Sequence, residues 1–126
     1  MNHMEEVKAL RADTTRHYNC AQAILVAFSD VCGISKEQAY ALGEHFGSGM
    51  KTGNVCGTLT GAYMVLGMAG RDASLATGLM QKFNQRHVSN QCRLLLANAS
   101  QRGISRKDHC DGLVFEVAEY LDEVLK

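Results

Sequence analysis

Apolar residues recur along this chain at intervals of three and four, the spacing that lines one face of an α-helix. One series is Ala23, Ile24, Ala27, Phe28 and Val31, and a second is Ala39, Leu42, Gly43 and Phe46. A third, Leu113, Val117, Leu121 and Leu125, runs opposite a water-facing set of Glu116, Glu119, Asp122 and Glu123. No segment keeps the period-two alternation of β-branched or aromatic residues that marks a strand. Proline is absent from all 126 residues, so no helix is interrupted by a missing backbone donor. The pattern predicts an all-α fold, a single-domain helical bundle of about six or seven helices over residues 1–126.

Start and stop signals divide the chain further. A first helix is expected from about Met4 to Thr14, and a second from near Asn19 to Gly33, whose glycine suits a left-handed C-terminal position. Ser35, with Gln38 three residues on, has the form of a capping box for the third. A glycine-rich connection follows, Gly47-Ser48-Gly49-Met50-Lys51-Thr52-Gly53. The fourth helix, Val55 to Ala69, is the most apolar and is expected at the centre, with Gly57, Gly61 and Ala62 permitting close approach of a neighbour. Asp72 opens a fifth helix that reaches His87, and Ser89 or Asn90 a short sixth that Gly103 stops. Ser105, with Asp108 at its third position, caps the last.

Composition narrows the function classes. Lys plus Arg equals Asp plus Glu at 13 each, so the basic surplus that phosphate neutralisation demands of a nucleic-acid binder is missing. The longest apolar run, Ala62 to Ala69, contains Gly67 and is too short to span a bilayer. Met1-Asn2-His3-Met4-Glu5-Glu6 is polar and acidic where a secretory signal would be basic and then apolar. The expectation is a cytoplasmic protein with neither nucleic acid nor membrane as partner. In that compartment several cysteines point to metal binding or redox chemistry more often than to structural disulfides.

The five cysteines are Cys20, Cys32, Cys56, Cys92 and Cys110. All but Cys32 fall in the first turn or two of an expected helix, where unpaired N–H groups and the helix dipole favour thiolate over thiol. Cys32 precedes Gly33 at a helix end, where the dipole opposes negative charge. If helices alternate up and down, Cys20, Cys56 and Cys92 share one end of the bundle. Strict alternation sends Cys110 to the other end, near Cys32, unless the short sixth helix crosses at an angle. No C-x-x-C pair is present, so neither a zinc ribbon nor a thioredoxin-type motif is indicated.

Taken in order, Asn19-Cys20-Ala21-Gln22-Ala23, Phe46-Gly47-Ser48-Gly49-Met50, Cys56-Gly57-Thr58-Leu59-Thr60-Gly61-Ala62, Cys92 and Cys110 resemble the C-GCAxxG-C-C family, described as redox-active. Val55-Cys56-Gly57 departs from the literal Gly-Cys-Ala of the name, Gly61 stands where a later glycine is expected, and Cys32 has no counterpart. The resemblance implies that Cys20, Cys56, Cys92 and Cys110 form the functional set. It implies no particular reaction.

Other features stand beside the cysteines. Lys51-Thr52 after glycines suggests a phosphate loop, but Met50 directly precedes the lysine and a helix stands where a strand is needed. Gly49 and Gly57 would instead bring backbone N–H groups toward Cys56 and any anion or cluster beside it, or simply serve a flexible connection. His17 and His109, close to Cys20 and Cys110, could ligate a metal or act as bases, against a default of surface or capping roles. His45 and His87 suit helix ends, and Met64 and Met68 suit core packing. Arg102, Arg106 and Lys107, with Arg86 and Arg93, make a modest basic patch whose default is a solvated face.

Three cysteine chemistries fit. Cys20, Cys56, Cys92 and Cys110 could hold an iron–sulfur cluster, bind another metal such as zinc, or cycle between dithiol and disulfide with an electron donor or acceptor. The rival from another class is a non-catalytic helical interaction module with buried, inert cysteines. Its Gly57-x-x-x-Gly61 face could then pack a second copy as a homodimer.

Overall fold

The computed structural model describes residues 2–126, and these are all-helical apart from one isolated antiparallel bridge between Val55 and Gln91. The helices are α1 (His3–Ala12), α2 (Cys20–Ala27), α3 (Ser29–Cys32), α4 (Lys36–Gly43), α5 (Gly57–Met68), α6 (Ala73–Arg86), α7 (Cys92–Gln101) and α8 (Arg106–Val124). A single π turn, Gly49–Gly53, lies between α4 and α5. The described residues therefore contain nine helical elements rather than six or seven. The expected second helix breaks at Phe28 (φ −102°, ψ 18°), and the glycine-rich connection coils into the π turn.

Local signals act as polar groups at helix ends require. Ser35 and Gln38 close a reciprocal capping box, and Asn19 and Gln22 close another at α2. Asp72 accepts from Ser74 N–H and Ser105 from Asp108 N–H, while Gly33 ends α3 in the left-handed region at φ 70°.

The centre is not α5 alone. Every residue from Ala21 to Ala27 is buried, so α2 is covered on all sides, whereas α5 leaves Tyr63 and Met68 exposed. Their mutual packing is the most extensive in the molecule, with α4, α1 and α8 completing the shell around α2. Gly61 permits it: a Cβ there would stand 3.0 Å from Ala21 O. Ile24, Leu25 and Leu59 are fully buried, each contributing about 1.5–3 kcal/mol through apolar burial.

α7 departs from up-and-down alternation. Its principal neighbours are α8 and the π turn rather than α6. Counting helix directions therefore fails beyond α6, with consequences for Cys110. Among the described residues no helix is long and apolar enough to cross a membrane.

Candidate functional site

Four cysteines arrive at one place by four different helix starts. Cys20 is the first residue of α2, Cys56 the N-cap of α5, Cys92 the first residue of α7, and Cys110 the fifth residue of α8. All four line one cavity of about 470 Å³, together with His17, His109, Arg11, Arg106, Lys107 and Thr58. Leu10, Leu95, Leu96 and Leu113 supply its apolar wall. Cys110 thus joins the other three instead of lying near Cys32, because α7 leaves the alternating bundle. Cys32 is buried and lines no part of this cavity.

Backbone bonds set the two sulfur-bearing helix starts side by side. Cys56 N–H donates to Asn90 O at 2.8 Å, and Cys92 N–H donates to Asn54 O at 2.7 Å, across the Val55–Gln91 bridge. Each bond satisfies an amide at a helix start, where intrahelical acceptors are lacking. The chain reaches this bridge through the π turn. Gly49, at φ 61°, has no room for a side chain, since a Cβ would stand 2.5 Å from both Asn54 N and Asn54 O. Gly49 shapes the loop and lies outside the cavity wall.

Gly57 has a different task. A Cβ there would stand 2.6 Å from Cys20 Sγ and 2.6 Å from Phe46 O. The bare α-carbon lets the sulfur of Cys20 settle against the first turn of α5, beside Cys56. Gly57 and Gly61 both face inward to α2 and its neighbours, so their face is occupied within the chain.

The thiols differ sharply in acidity. Cys56 S–H donates to the Cys20 sulfur, and this outweighs burial, which acts the other way. With further help from the Thr58 hydroxyl, the charge of Arg11 and the backbone of Ala21, the Cys20 thiol is lowered to about 6. Cys56 is raised well above the ordinary thiol value, because it is the donor to Cys20 and is buried. One proton is thereby held between the two sulfurs, on Cys56. Burial also raises Cys92 and Cys110, assisted by the negative charge on Cys20 and only partly offset by Arg106. Cys32 is raised by burial and by Asp30. A helix start is therefore not enough to favour thiolate: of the four, only Cys20 has a neighbouring thiol as donor.

Thr58 and Ser48 escaped the sequence reading. Thr58 is fully buried and its hydroxyl has no hydrogen-bond partner, while its proximity to Cys20 and Cys56 acts to lower both thiols. A threonine two residues after a cysteine at a helix start was the available signal. Arg11 is fixed by Asp111 at 2.7 Å and by Tyr18 O at 2.8 Å, which holds its charge near Cys20. Of the expected basic patch, only Arg106 and Lys107 reach the cavity. His45 meets Lys51 and His87 meets Glu116, both away from it.

The metal reading of these residues meets an obstacle in their spacing. Although the four sulfurs line one cavity, no three His, Cys, Asp or Glu side chains among the described residues are grouped to hold an ion. The ligand set expected from Cys20, Cys56, Cys92 and Cys110 for an iron–sulfur cluster or zinc is not assembled in this arrangement.

A family model described as "Putative redox-active protein (C_GCAxxG_C_C)" matches residues 18–124. Comparison with curated proteins and with solved structures yields no match.

Proposed function

The chain belongs to the C-GCAxxG-C-C family, and from that premise we propose that it is a dithiol–disulfide redox protein in which Cys20 attacks and Cys56 resolves. The observation that carries the reading is the placing of Cys20 Sγ against the first turn of α5, beside the N-cap Cys56 on one cavity wall, made possible by the missing side chain at Gly57 and accompanied by a lowered Cys20 thiol. A thiolate near neutral pH with a second thiol already beside it is the arrangement that thiol–disulfide exchange requires.

The Cys20 thiolate attacks one sulfur of a disulfide substrate, whose S–S bond breaks as the first thiolate leaves. Cys56 then gives up its proton and attacks Cys20 Sγ. The mixed disulfide breaks, and the second thiolate leaves. One substrate disulfide becomes two thiols while Cys20 and Cys56 become one disulfide, a transfer of two electrons. The departing thiolates take one proton from Cys56 and one from solvent. Arg11 and Thr58 stabilise the attacking sulfur, and the low thiol value of Cys20 also makes it a good leaving group in its turn. A reducing compartment such as the cytoplasm suits this chemistry.

The test is redox titration in thiol–disulfide buffers, with acid quenching, alkylation and peptide mass mapping. The expected product is a Cys20–Cys56 disulfide that neither Cys20→Ser nor Cys56→Ser protein can form. A different pairing, or five thiols that react only after unfolding, would overturn the proposal, the latter favouring an inert helical module.

A further inference from the structure

Among the described residues, one cation on the cavity wall, Arg106, has no carboxylate to neutralise it. At this end of the molecule Asp111 accepts from Arg11 Nε at 2.7 Å and from Lys107 Nζ at 3.0 Å. Asp13 is engaged by Thr15 N–H and hydroxyl, both at 2.7 Å, and by Arg16 N–H at 3.2 Å. Arg106 pairs with no carboxylate among the described residues, and its guanidinium donates to the Ser48 hydroxyl at 2.8 Å. Ser48 itself sits in the left-handed region at φ 54°, an uncommon conformation for a residue with a side chain. An aimed and unpaired guanidinium at the edge of a cavity is a carboxylate receptor, since its planar fork matches a carboxylate's two oxygens.

The remaining walls select further. Four leucines face the same space, and 470 Å³ is within the range of small-ligand pockets. Arg106 lies close enough to the sulfurs for its charge to act on Cys92 and Cys110. A ligand that fills this space would present carboxylate, apolar chain and sulfur-reactive group together.

We propose that the cavity binds a small organic disulfide bearing a carboxylate, which Arg106 holds while the leucine wall takes its apolar part, so that its S–S bond meets Cys20. The reaction rests on the dithiol reading above, but the recognition does not, and the two can fail separately.

The probe is 3,3′-thiodipropionate, a thioether diacid that cannot undergo exchange, measured by calorimetry on the reduced full chain beside its neutral dimethyl ester. The diacid is expected to bind at least about tenfold more tightly than the ester, and Arg106→Gln to remove that difference while leaving the ester unaffected. Ser48→Ala should weaken the diacid to a lesser degree, giving a second variant that keeps every charge. Equal binding of diacid and ester, or diacid binding indifferent to Arg106→Gln, overturns the proposal. Because the probe carries no S–S bond, it reports on recognition even if Cys20 and Cys56 never form a disulfide.

Discussion

The α-carbon of Gly57 is the floor on which the Cys20 sulfur rests: a Cβ at position 57 would stand 2.6 Å from Cys20 Sγ. The same Cβ would stand 2.6 Å from Phe46 O, so neither the sulfur nor the α5 start can yield alone. Gly57→Ala is expected to destabilise the fold by about 1–3 kcal/mol through overpacking. Gly67, ten residues on in the same helix, has nothing within 4 Å of its Cβ position. Gly67→Ala should instead stabilise by about 0.5–1 kcal/mol, from helix propensity alone. Urea unfolding of the pair distinguishes a site glycine from an incidental one.

Alkylation of native protein should follow a titration with its midpoint at about 6, the value to which the Cys56 donor and its companions bring Cys20. Removing the donor with Cys56→Ala withdraws the largest stabilisation of the thiolate. The midpoint should then move up toward the ordinary thiol value near ~8.5. At pH 6.5 a full return to that value would cut the thiolate fraction by roughly 75-fold and slow the reaction by up to that factor, because the thiolate is the reacting form. Rates of iodoacetamide labelling against pH provide the measurement.

Cys32 should stay silent. It is 6% exposed, lies outside the cavity, and is held up by burial and by Asp30. Mass-resolved labelling is expected to modify Cys20 first and Cys32 only on unfolding. Cys32→Ala should leave both the pH midpoint and the disulfide pairing unchanged. Early labelling of Cys32 would contradict this placement.

His3 ties α1 to two other helices, with Nδ1 at 2.7 Å from Asp122 and Nε2 at 3.0 Å from Asp30, and its ring stacks on Phe28 at 4.1 Å. Burial opposes its charge, but hydrogen bonds and charges from both carboxylates win, and its pKa is raised above 6.5. A raised value means that the stabilisation is complete below 6.5 and is lost as pH rises through the folded value. Asp30 is lowered, with burial opposed by the His3 bond, so its share is present above 3.8 and lost in acid. The contribution, on the order of 1 kcal/mol, should therefore peak between these limits. His3→Gln should flatten it, as seen in urea midpoints at pH 5.5 and 9.

Much of the fold was legible because helix-forming information is local. Ser35 with Gln38, Ser105 with Asp108, Asp72 and Gly33 all act where the sequence places them, since a cap needs only residues within one turn. The break at Phe28 was not legible, because no proline or glycine marks it. It occurs where a fully buried ring meets His3 from another helix. The centrality of α2 was hidden for a similar reason: Gln22 reads as polar, yet it is buried with its amide donating to Tyr40 O and its oxygen accepting from Asn19 N–H.

By itself the sequence determined the helical class, the capped helix ends and the placing of four cysteines at or near helix starts, because caps and periodicity depend on neighbours in the chain. Only the tertiary structure decided what those cysteines are to one another. Their grouping depends on α7 turning to the π turn and α8, on the Cys56 and Cys92 amides bonding across the Val55–Gln91 bridge, and on the space left at Gly57. Acidity followed from that packing as well. Every helix start offers much the same dipole, whereas burial and a single S–H donor act over a few ångströms and single out Cys20.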